Sequence, residues 1–353
     1  MQLDGDDEAR PARDPLRRDA VPALRLGPGR SIAADARDRV VGVVLGAAVG
    51  DALGAPFEFA PRGTFSERLP GRRPDGVGDM IGGGAFDWAP GEFTDDTQMG
   101  LALAASLLGR GGYDPDDLWD RWRVWARTSS DVGNTIRSAL HHRDWRDVAH
   151  PDPEMTAGNG ALMRAFPLAV ATLGADRGAA REVTLHQSLL THTHPAAAQG
   201  AWMGVAMMRA GILGDDPLAA LESELVLLAR RDRATAHRYI AMLDPGWEPE
   251  DGDQAGIGNG SVWGCLAQAV WALRRHDRFA DVVADVIDLG KDTDTVACVA
   301  GAIAGAREGA SAIPAGWLEP VNGCVDTLNG LERYDRDRLI GIALQLATSS
   351  AVD

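Results

Sequence analysis

The sequence of 353 residues predicts an all-α protein. The alternation of apolar and polar residues that marks half-buried strands is nearly absent. Apolar and small residues instead recur at helical spacing, first between Asp35 and Gly54. Further along, Leu118, Trp122 and Trp125 form a stripe at i, i+4 and i+7, as on the buried face of a helix.

Composition and charge narrow the class of protein. The formal charge of −16 argues against binding to nucleic acid or to an anionic membrane. We expect one domain at 36–351 and a disordered or loosely packed arm at 1–35, which mixes Asp, Arg and Pro and lacks the apolar run of a secretory signal. The uncharged run at 40–50 is too short to span a membrane. The three widely spaced cysteines are typical of reduced thiols, so we expect a cytoplasmic protein. We also expect a monomer.

The first predicted helix stops at Gly54 and Pro56. Asp51 lies near its end, and Glu58 lies in the loop beyond, where it is either a solvated acid or part of a site. The region 61–90 is rich in Gly and Pro and is predicted to be loop. Its three consecutive glycines lack the flanking strand and helix of a phosphate-binding loop.

Acidic motifs stand next to three apolar helical runs. Their residues are Asp51 and Glu58, then Thr94, Asp95, Asp96 and Thr97, and finally Asp292, Asp294 and Thr295. Free N–H groups at a helix start favour carboxylates, so Asp292 alone is explained as an N-cap. The repetition indicates a site in which the three motifs converge. Because its donors are all oxygen, it selects Mg²⁺, Mn²⁺ or Ca²⁺ over zinc or copper, and five or six carboxylates favour two ions.

Four further segments carry candidate residues. Asp131 opens DVGNT, where it is a helix N-cap or a site residue. Two Gly-Asn-Gly junctions, at 158–160 and 258–260, each open a helix. The free N–H groups of the first suit a pyrophosphate, whereas each junction alone is also explained as an ordinary turn. His192 and His194 stand two residues apart without a Cys or HExxH partner, which argues against zinc. The segment 317–351 is expected to close the fold as helix.

The motifs together resemble those of the ADP-ribosylglycohydrolases. The resemblance rests on GVVLGAAVGDALGAPFEF, FTDDTQM, GNGALMR, LTHTHP and GKDTDTVACVAGAIAG, which follow the family's order over residues 38–310. It implies a compact orthogonal helical fold with a binuclear metal cleft. It also implies two divalent cations, Mg²⁺ or Mn²⁺, held by Thr94, Asp95, Asp96, Asp292, Asp294 and Thr295.

The resemblance further implies hydrolysis of the ribose C1″ bond of ADP-ribosylated protein, which releases ADP-ribose. The catalytic residues that it implies are Glu58, Asp95, Asp131 and Asp294. The substrate-binding residues that it implies are Asn159, Gly160, His192, Gly260 and Ser261. The alternative for His192 is a buried histidine that bonds to backbone.

The DVGNT segment favours ADP-ribosyl-arginine as substrate. The alternatives are an O-linked serine or ester acceptor, and a non-catalytic ADP-ribose-binding or immunity protein. Three positions depart from the family pattern: Trp263 and Gly264 replace the more usual Val and Asp, and Lys291 replaces Gly beside the metal acids. Lys291 either competes with an ion or points into solvent.

Overall fold

The computed structural model describes residues 18–27, 33–71, 73–150 and 153–349, and it confirms the all-α prediction. Its first nine helices are α1 (Ala34–Gly54), α2 (Thr64–Arg68), α3 (Asp95–Arg110), α4 (Pro115–Trp125), α5 (Asn134–Leu140), α6 (Gly160–Met163), α7 (Phe166–Ala171), α8 (Arg177–Leu189) and α9 (Pro195–Leu213). The following helices are α10 (Pro217–Arg231), α11 (Arg233–Met242), α12 (Pro249–Gln254), α13 (Val262–Arg275), α14 (Phe279–Asp288), α15 (Thr293–Glu308), α16 (Ala315–Leu318) and α17 (Arg336–Thr348).

Helices α1 and α15 are antiparallel and pack backbone against backbone at the centre of the fold. A Cβ added to Gly46 would lie 2.2 Å from the carbonyl oxygen of Gly301, and one added to Gly305 would lie 2.0 Å from that of Gly42. Glycine at these positions is therefore required by the close approach of the two helices. The end of α1, which carries Asp51, is thereby held beside the start of α15.

Helix α1 has the length and mean hydropathy of a membrane span, with a value of 1.8 over its most apolar window. That window is 100% buried inside the fold, as in the core helix of a globular protein. Helix α15 packs on one side of α1, and α7, α9 and α17 also pack on it, which explains why a helix inside a protein can be this apolar on every face.

The closing segment corrects one expectation, because residues 322–335 are not helical. Strand β1 (Asn322–Thr327) pairs with strand β2 (Gly330–Asp335) in an antiparallel hairpin, with Thr327 opposite Gly330. Asn329–Gly330 is a known turn signal, and Gly330 adopts a φ of 107° that favours glycine. Helix α17 then closes the fold as predicted.

Part of the predicted arm is described, and it lies on the domain. Leu24 is buried, and its carbonyl oxygen accepts the N–H of Tyr113 at 3.1 Å. The carbonyl oxygen of Arg18 bonds to Nε2 of His186 at 3.0 Å, and the Arg18 guanidinium donates to the carbonyl of Val148. Residues 1–17 and 28–32 of the arm lie outside the described residues.

Candidate metal centre

Asp51 on α1 organises the first turn of α3. Its carboxylate accepts the backbone N–H of Thr94 at 2.9 Å and of Thr97 at 3.0 Å, and both threonine hydroxyls donate to it, at 2.8 and 2.6 Å. Asp51 on α1 thus satisfies two of the free N–H groups at the start of α3. Helix α3 therefore needs no capping side chain of its own. Because the Thr94 hydroxyl donates to Asp51, its lone pairs remain available to a cation.

The start of α15 contributes the second motif. Asp294 and Thr295 are buried, and Oδ1 of Asp294 accepts the backbone N–H of Thr295 at 2.9 Å. The hydroxyl of Thr295 donates to Oδ2 of Asp96 at 3.4 Å, which joins the α15 motif to the α3 motif. The predicted residues Thr94, Asp95, Asp96, Asp294 and Thr295 are thus all buried at two facing helix starts.

Two triads of carboxylates share Asp294. One oxygen from each of Asp51, Asp96 and Asp294 lies within 4.8 Å of the others, and the same holds for Glu58, Asp131 and Asp294. Two of these side chains have an oxygen that is buried without a hydrogen-bond partner among the described residues, namely Asp96 Oδ1 and Glu58 Oε2. Such orphaned oxygens are rare in native proteins, and they fit a cation bound between the motifs.

Burial and mutual repulsion raise the pKa of these carboxyl groups. Burial is the largest cause for Asp95, Asp96 and Asp294, whose pKa values lie well above the usual range, and neighbouring carboxylates add to the shift. Burial followed by nearby carboxylates raises the pKa of Glu58 to about 8 and that of Asp131 to about 6. A divalent cation would offset this repulsion, so the electrostatics of the cluster also fit a metal site.

The structure excludes a capping role for Asp131. The residue before α5 is Gly133, and no side chain caps that helix, so Asp131 is not its N-cap. Its half-buried carboxylate instead approaches Glu58 and Asp294. Asp131 and Glu58 therefore form the open side of the carboxylate cluster.

Asp292 is held by the two Gly-Asn-Gly junctions. Its Oδ2 accepts Nδ2 of Asn159 at 2.9 Å, and its backbone N–H donates to Oδ1 of Asn259 at 3.3 Å. The junctions themselves meet in an antiparallel bridge between Gly158 and Ser261. A Cβ on Gly260 would lie 3.4 Å from Oδ2 of Asp292, so the second junction runs directly beside this carboxylate.

Three further predicted substrate-binding residues, Gly160, His192 and Ser261, lie in or against the junctions. The hydroxyl of Ser261 donates to Gly258 and accepts the N–H of Gly264, as the N-cap of α13. A Cβ on Gly160 would lie 3.1 Å from the ring of His192, so the two are in contact. His192 is 1% exposed and is not part of either carboxylate triad.

A hydrogen-bond chain holds the ring of His192. Buried Arg164 donates to the hydroxyl of Thr191 at 2.8 Å, and this hydroxyl bonds to Nδ1 of His192 at 2.8 Å. The ring of His192 is thus linked through one hydroxyl to a buried guanidinium. Burial, followed by the charge of Arg164, holds the pKa of His192 well below its usual value, so the ring is neutral.

Lys291 points away from the carboxylate cluster. Its ammonium pairs with Asp253, and the side chain is 57% exposed. Its φ of 66° lies in the left-handed region, which explains why glycine suits this position. Of the two expectations for Lys291, the structure matches the one in which it points into solvent.

Sequence reasoning passed over two residues of the site. Asn259 repeats the position of Asn159 in the second junction, and its Nδ2 donates to the carbonyl of Gly290 at 3.0 Å, which holds the loop before Asp292. Arg164, inside GNGALMR, is fully buried and lies 3.9 Å from the ring of Trp122. The repetition of Gly-Asn-Gly was a signal for Asn259, whereas nothing local predicts a buried arginine.

Comparison with known proteins decides the family. The sequence profile of the ADP-ribosylglycohydrolase family matches residues 33–351. The chain belongs to this family. It is therefore a glycosidase-type hydrolase, and its two carboxylate triads lie in an ADP-ribosylglycohydrolase fold.

Individual relatives agree with this assignment. The ADP-ribosyl-[dinitrogen reductase] glycohydrolase of Rhodospirillum rubrum is 32% identical, over 81% of this chain and 90% of the relative. The ADP-ribosylarginine hydrolase Tri1 of Serratia proteamaculans is also 32% identical, over 80% of this chain and 75% of the relative. A solved structure of an ADP-ribosylglycohydrolase-related protein complex superposes with a TM-score of 0.70 and 34% identity, covering 90% of this chain and 100% of the other.

Proposed function

We propose that this ADP-ribosylglycohydrolase releases ADP-ribose from ADP-ribosylated arginine side chains of proteins and depends on two divalent cations, Mg²⁺ or Mn²⁺. The observation that carries the proposal is the pair of carboxylate triads that share Asp294. A shared carboxylate between two groups of oxygens suits two cations better than one.

The residues proposed to hold the cations are Thr94, Asp95, Asp96, Asp292, Asp294 and Thr295. Asp51 supports them by fixing the hydroxyl of Thr94 and the first turn of α3. Asn159 and Asn259 fix Asp292 in the same way. When bound, the cations supply positive charge that attracts ribose hydroxyl groups and lowers the pKa of water.

Hydrolysis at C1″ requires proton movement, because water adds a hydroxyl group to the ribose carbon and a proton to the departing guanidine nitrogen. Asp131 and Glu58 are the half-buried carboxylates on the open side of the cluster. One of them is placed to accept the proton from water and to return it to the leaving group. The negative charge of Asp131, whose pKa is about 6, also stabilises the positive charge that develops on the ribose ring as the bond breaks.

Two observations support arginine as the acceptor residue. The Serratia relative is named an ADP-ribosylarginine hydrolase, and a second protein of that name from Pseudomonas putida is 31% identical over 81% of this chain. The DVGNT segment, which carries Asp131, favours the same acceptor. Proteins that carry ADP-ribosyl-arginine are thus the proposed partners.

The experiment measures free ADP-ribose released from ADP-ribosyl-arginine and ADP-ribosyl-serine peptides, with Mg²⁺ or Mn²⁺ and with chelator. We expect release from the arginine peptide, loss of release with chelator, and recovery when the cation is restored. Release from the serine peptide alone would overturn the acceptor assignment, and release that survives chelation would overturn the metal dependence.

A further inference from the structure

Phe59 is a strained and exposed aromatic residue beside the carboxylate cluster. Its φ of 65° lies in the left-handed region, which a bulky side chain rarely adopts. Its side chain is 68% exposed, so no burial of the ring compensates for the strain. Backbone strain of this kind persists where the surroundings impose it, and it is concentrated at functional sites.

The backbone of Phe59 is tied to both sides of the site. It follows Glu58, whose carboxylate belongs to one triad, and its N–H donates at 2.6 Å to the carbonyl oxygen of Lys291, the neighbour of Asp292. Phe59 therefore lies between the Glu58 and Asp292 segments, and its exposed ring stands beside these two acidic motifs.

Two more aromatic rings extend from Phe59. The ring of Phe86 lies 6.4 Å from that of Phe59 and 5.7 Å from that of Trp88, measured between centroids. Their loop packs closely on the end of α1, since a Cβ on Gly84 would lie 2.9 Å from the carbonyl oxygen of Ala55. Phe59, Phe86 and Trp88 form an aromatic row that is buried at Trp88 and exposed at Phe59.

The row has no cation of its own in the described part of the chain. No arginine or lysine there stacks on any of its three rings. Of the cations in the neighbouring loops, Arg62 pairs with Glu250 and Lys291 pairs with Asp253. The exposed ring of Phe59 and the partly exposed ring of Phe86 are thus left to receive a cation from outside the chain, whereas Trp88 is buried behind them.

We propose that the aromatic row binds the guanidinium group of the ADP-ribosylated arginine and makes the enzyme selective for that acceptor. The inference rests on the proposed function, in which the ribose lies against the carboxylate cluster. The acceptor side chain then extends from the ribose toward solvent on the open side of the cluster, next to Phe59. A guanidinium group is planar and cationic, so it stacks on an aromatic face, and the nearby carboxylate of Asp131 adds attraction. A serine or ester linkage offers no such cation.

The test compares Phe59→Leu with Phe59→Tyr. Leucine keeps an apolar side chain but removes the aromatic face, whereas tyrosine keeps the face. Steady-state kinetics on the ADP-ribosyl-arginine peptide should show KM raised about three- to tenfold by Phe59→Leu, with kcat little changed and Phe59→Tyr close to wild type. Inhibition by free ADP-ribose, which lacks the acceptor, should be the same in all three proteins.

The matched control is Leu331→Ala, which alters a 62% exposed apolar side chain on the distant β2 strand and should change none of these values. Phe86→Leu is a second variant of the row and should raise KM in the same direction. Melting temperatures establish that each variant is folded.

Two results would overturn the inference. The first is an unchanged KM in folded Phe59→Leu, and the second is an equal weakening of ADP-ribose inhibition, which would place the nucleotide on the rings. Wild-type enzyme that releases nothing from the arginine peptide would instead refute the proposed function, so the two failures are distinct.

Discussion

Substituting Gly46 by alanine tests the contact that positions the metal centre. The added Cβ would lie 2.2 Å from the carbonyl oxygen of Gly301, and ordinary contact begins at 3.4 Å. The neighbour is backbone of another helix, which cannot rotate away as a side chain can. Helices α1 and α15 must therefore separate by more than 1 Å.

The cost can be worked from this geometry. Overpacking of a tight interior costs about 1–3 kcal/mol, and a backbone contact falls at the upper end of that range. Alanine recovers about 1 kcal/mol of helix propensity. Gly46→Ala should then lower the free energy of unfolding by about 2 kcal/mol and the melting temperature by about 3–6 °C.

The matched control is Gly341→Ala on α17, where an added Cβ meets nothing within 4 Å. This variant should raise the free energy of unfolding by about 0.5–1 kcal/mol, so the two glycines respond with opposite signs. Differential scanning calorimetry measures both.

The same substitution should weaken cation binding. Asp51 lies on α1 and Asp294 on α15, and metal sites tolerate shifts of only about 0.2 Å. Titration calorimetry with Mn²⁺ should show at least a several-fold loss of affinity for Gly46→Ala and none for Gly341→Ala. A melting temperature of Gly46→Ala at or above that of wild type would refute the reasoning.

Three other predictions follow from single side chains. Asp294→Asn should lower Mn²⁺ affinity at least tenfold in titration calorimetry, because the carboxylate that both triads share loses its negative charge and one of its two oxygens; unchanged affinity would mean that the cation binds elsewhere. Lys291→Gly should keep Mn²⁺ affinity within a few-fold and should not lower the melting temperature, since it relieves a positive φ and removes only an exposed ion pair with Asp253; a large gain in affinity would show that Lys291 impairs the site. Burial lowers the pKa of His186 to about 4, so the unfolded chain binds the proton first and stability should fall by up to about 3 kcal/mol as pH drops from 6.5 to 4. In urea unfolding, His186→Gln should lose less stability than wild type between pH 6.5 and pH 4. An identical loss would contradict the assignment of this pH dependence to His186.

Much of the fold was predictable because its signals are local. Apolar and small residues at helical spacing predict helices α1, α3 and α15. Gly54 marks the end of α1, the residues Thr94–Thr97 mark the start of α3, and Asp292 marks the start of α15. The hairpin was missed because its strands are short and only partly buried, so they show little alternation. The turn residues Asn329 and Gly330 were its main signal.

The composition of the site was also readable from the sequence, whereas the state of each side chain was not. The acidic motifs indicate carboxylates at three helix ends, because a helix start favours negative charge wherever it lies in the fold. Nothing local shows that Asp51 accepts four hydrogen bonds from a helix more than 40 residues away, or that Asp96 keeps an oxygen without a partner. Likewise, nothing local shows that Gly133, and not Asp131, is the residue that precedes helix α5.

The sequence by itself therefore determined the helices, the oxygen chemistry of the site and the resemblance to a family. Only the tertiary structure decided which carboxylates meet, that Lys291 turns outward, and that Phe59 stands exposed beside two of the acidic motifs. The physical reason is the difference in range along the chain between the two kinds of interaction. Helical periodicity and capping act within a few residues, but the contact of Gly46 with Gly301 joins segments that are distant in the chain, and it brings the acids of α1 and α15 together.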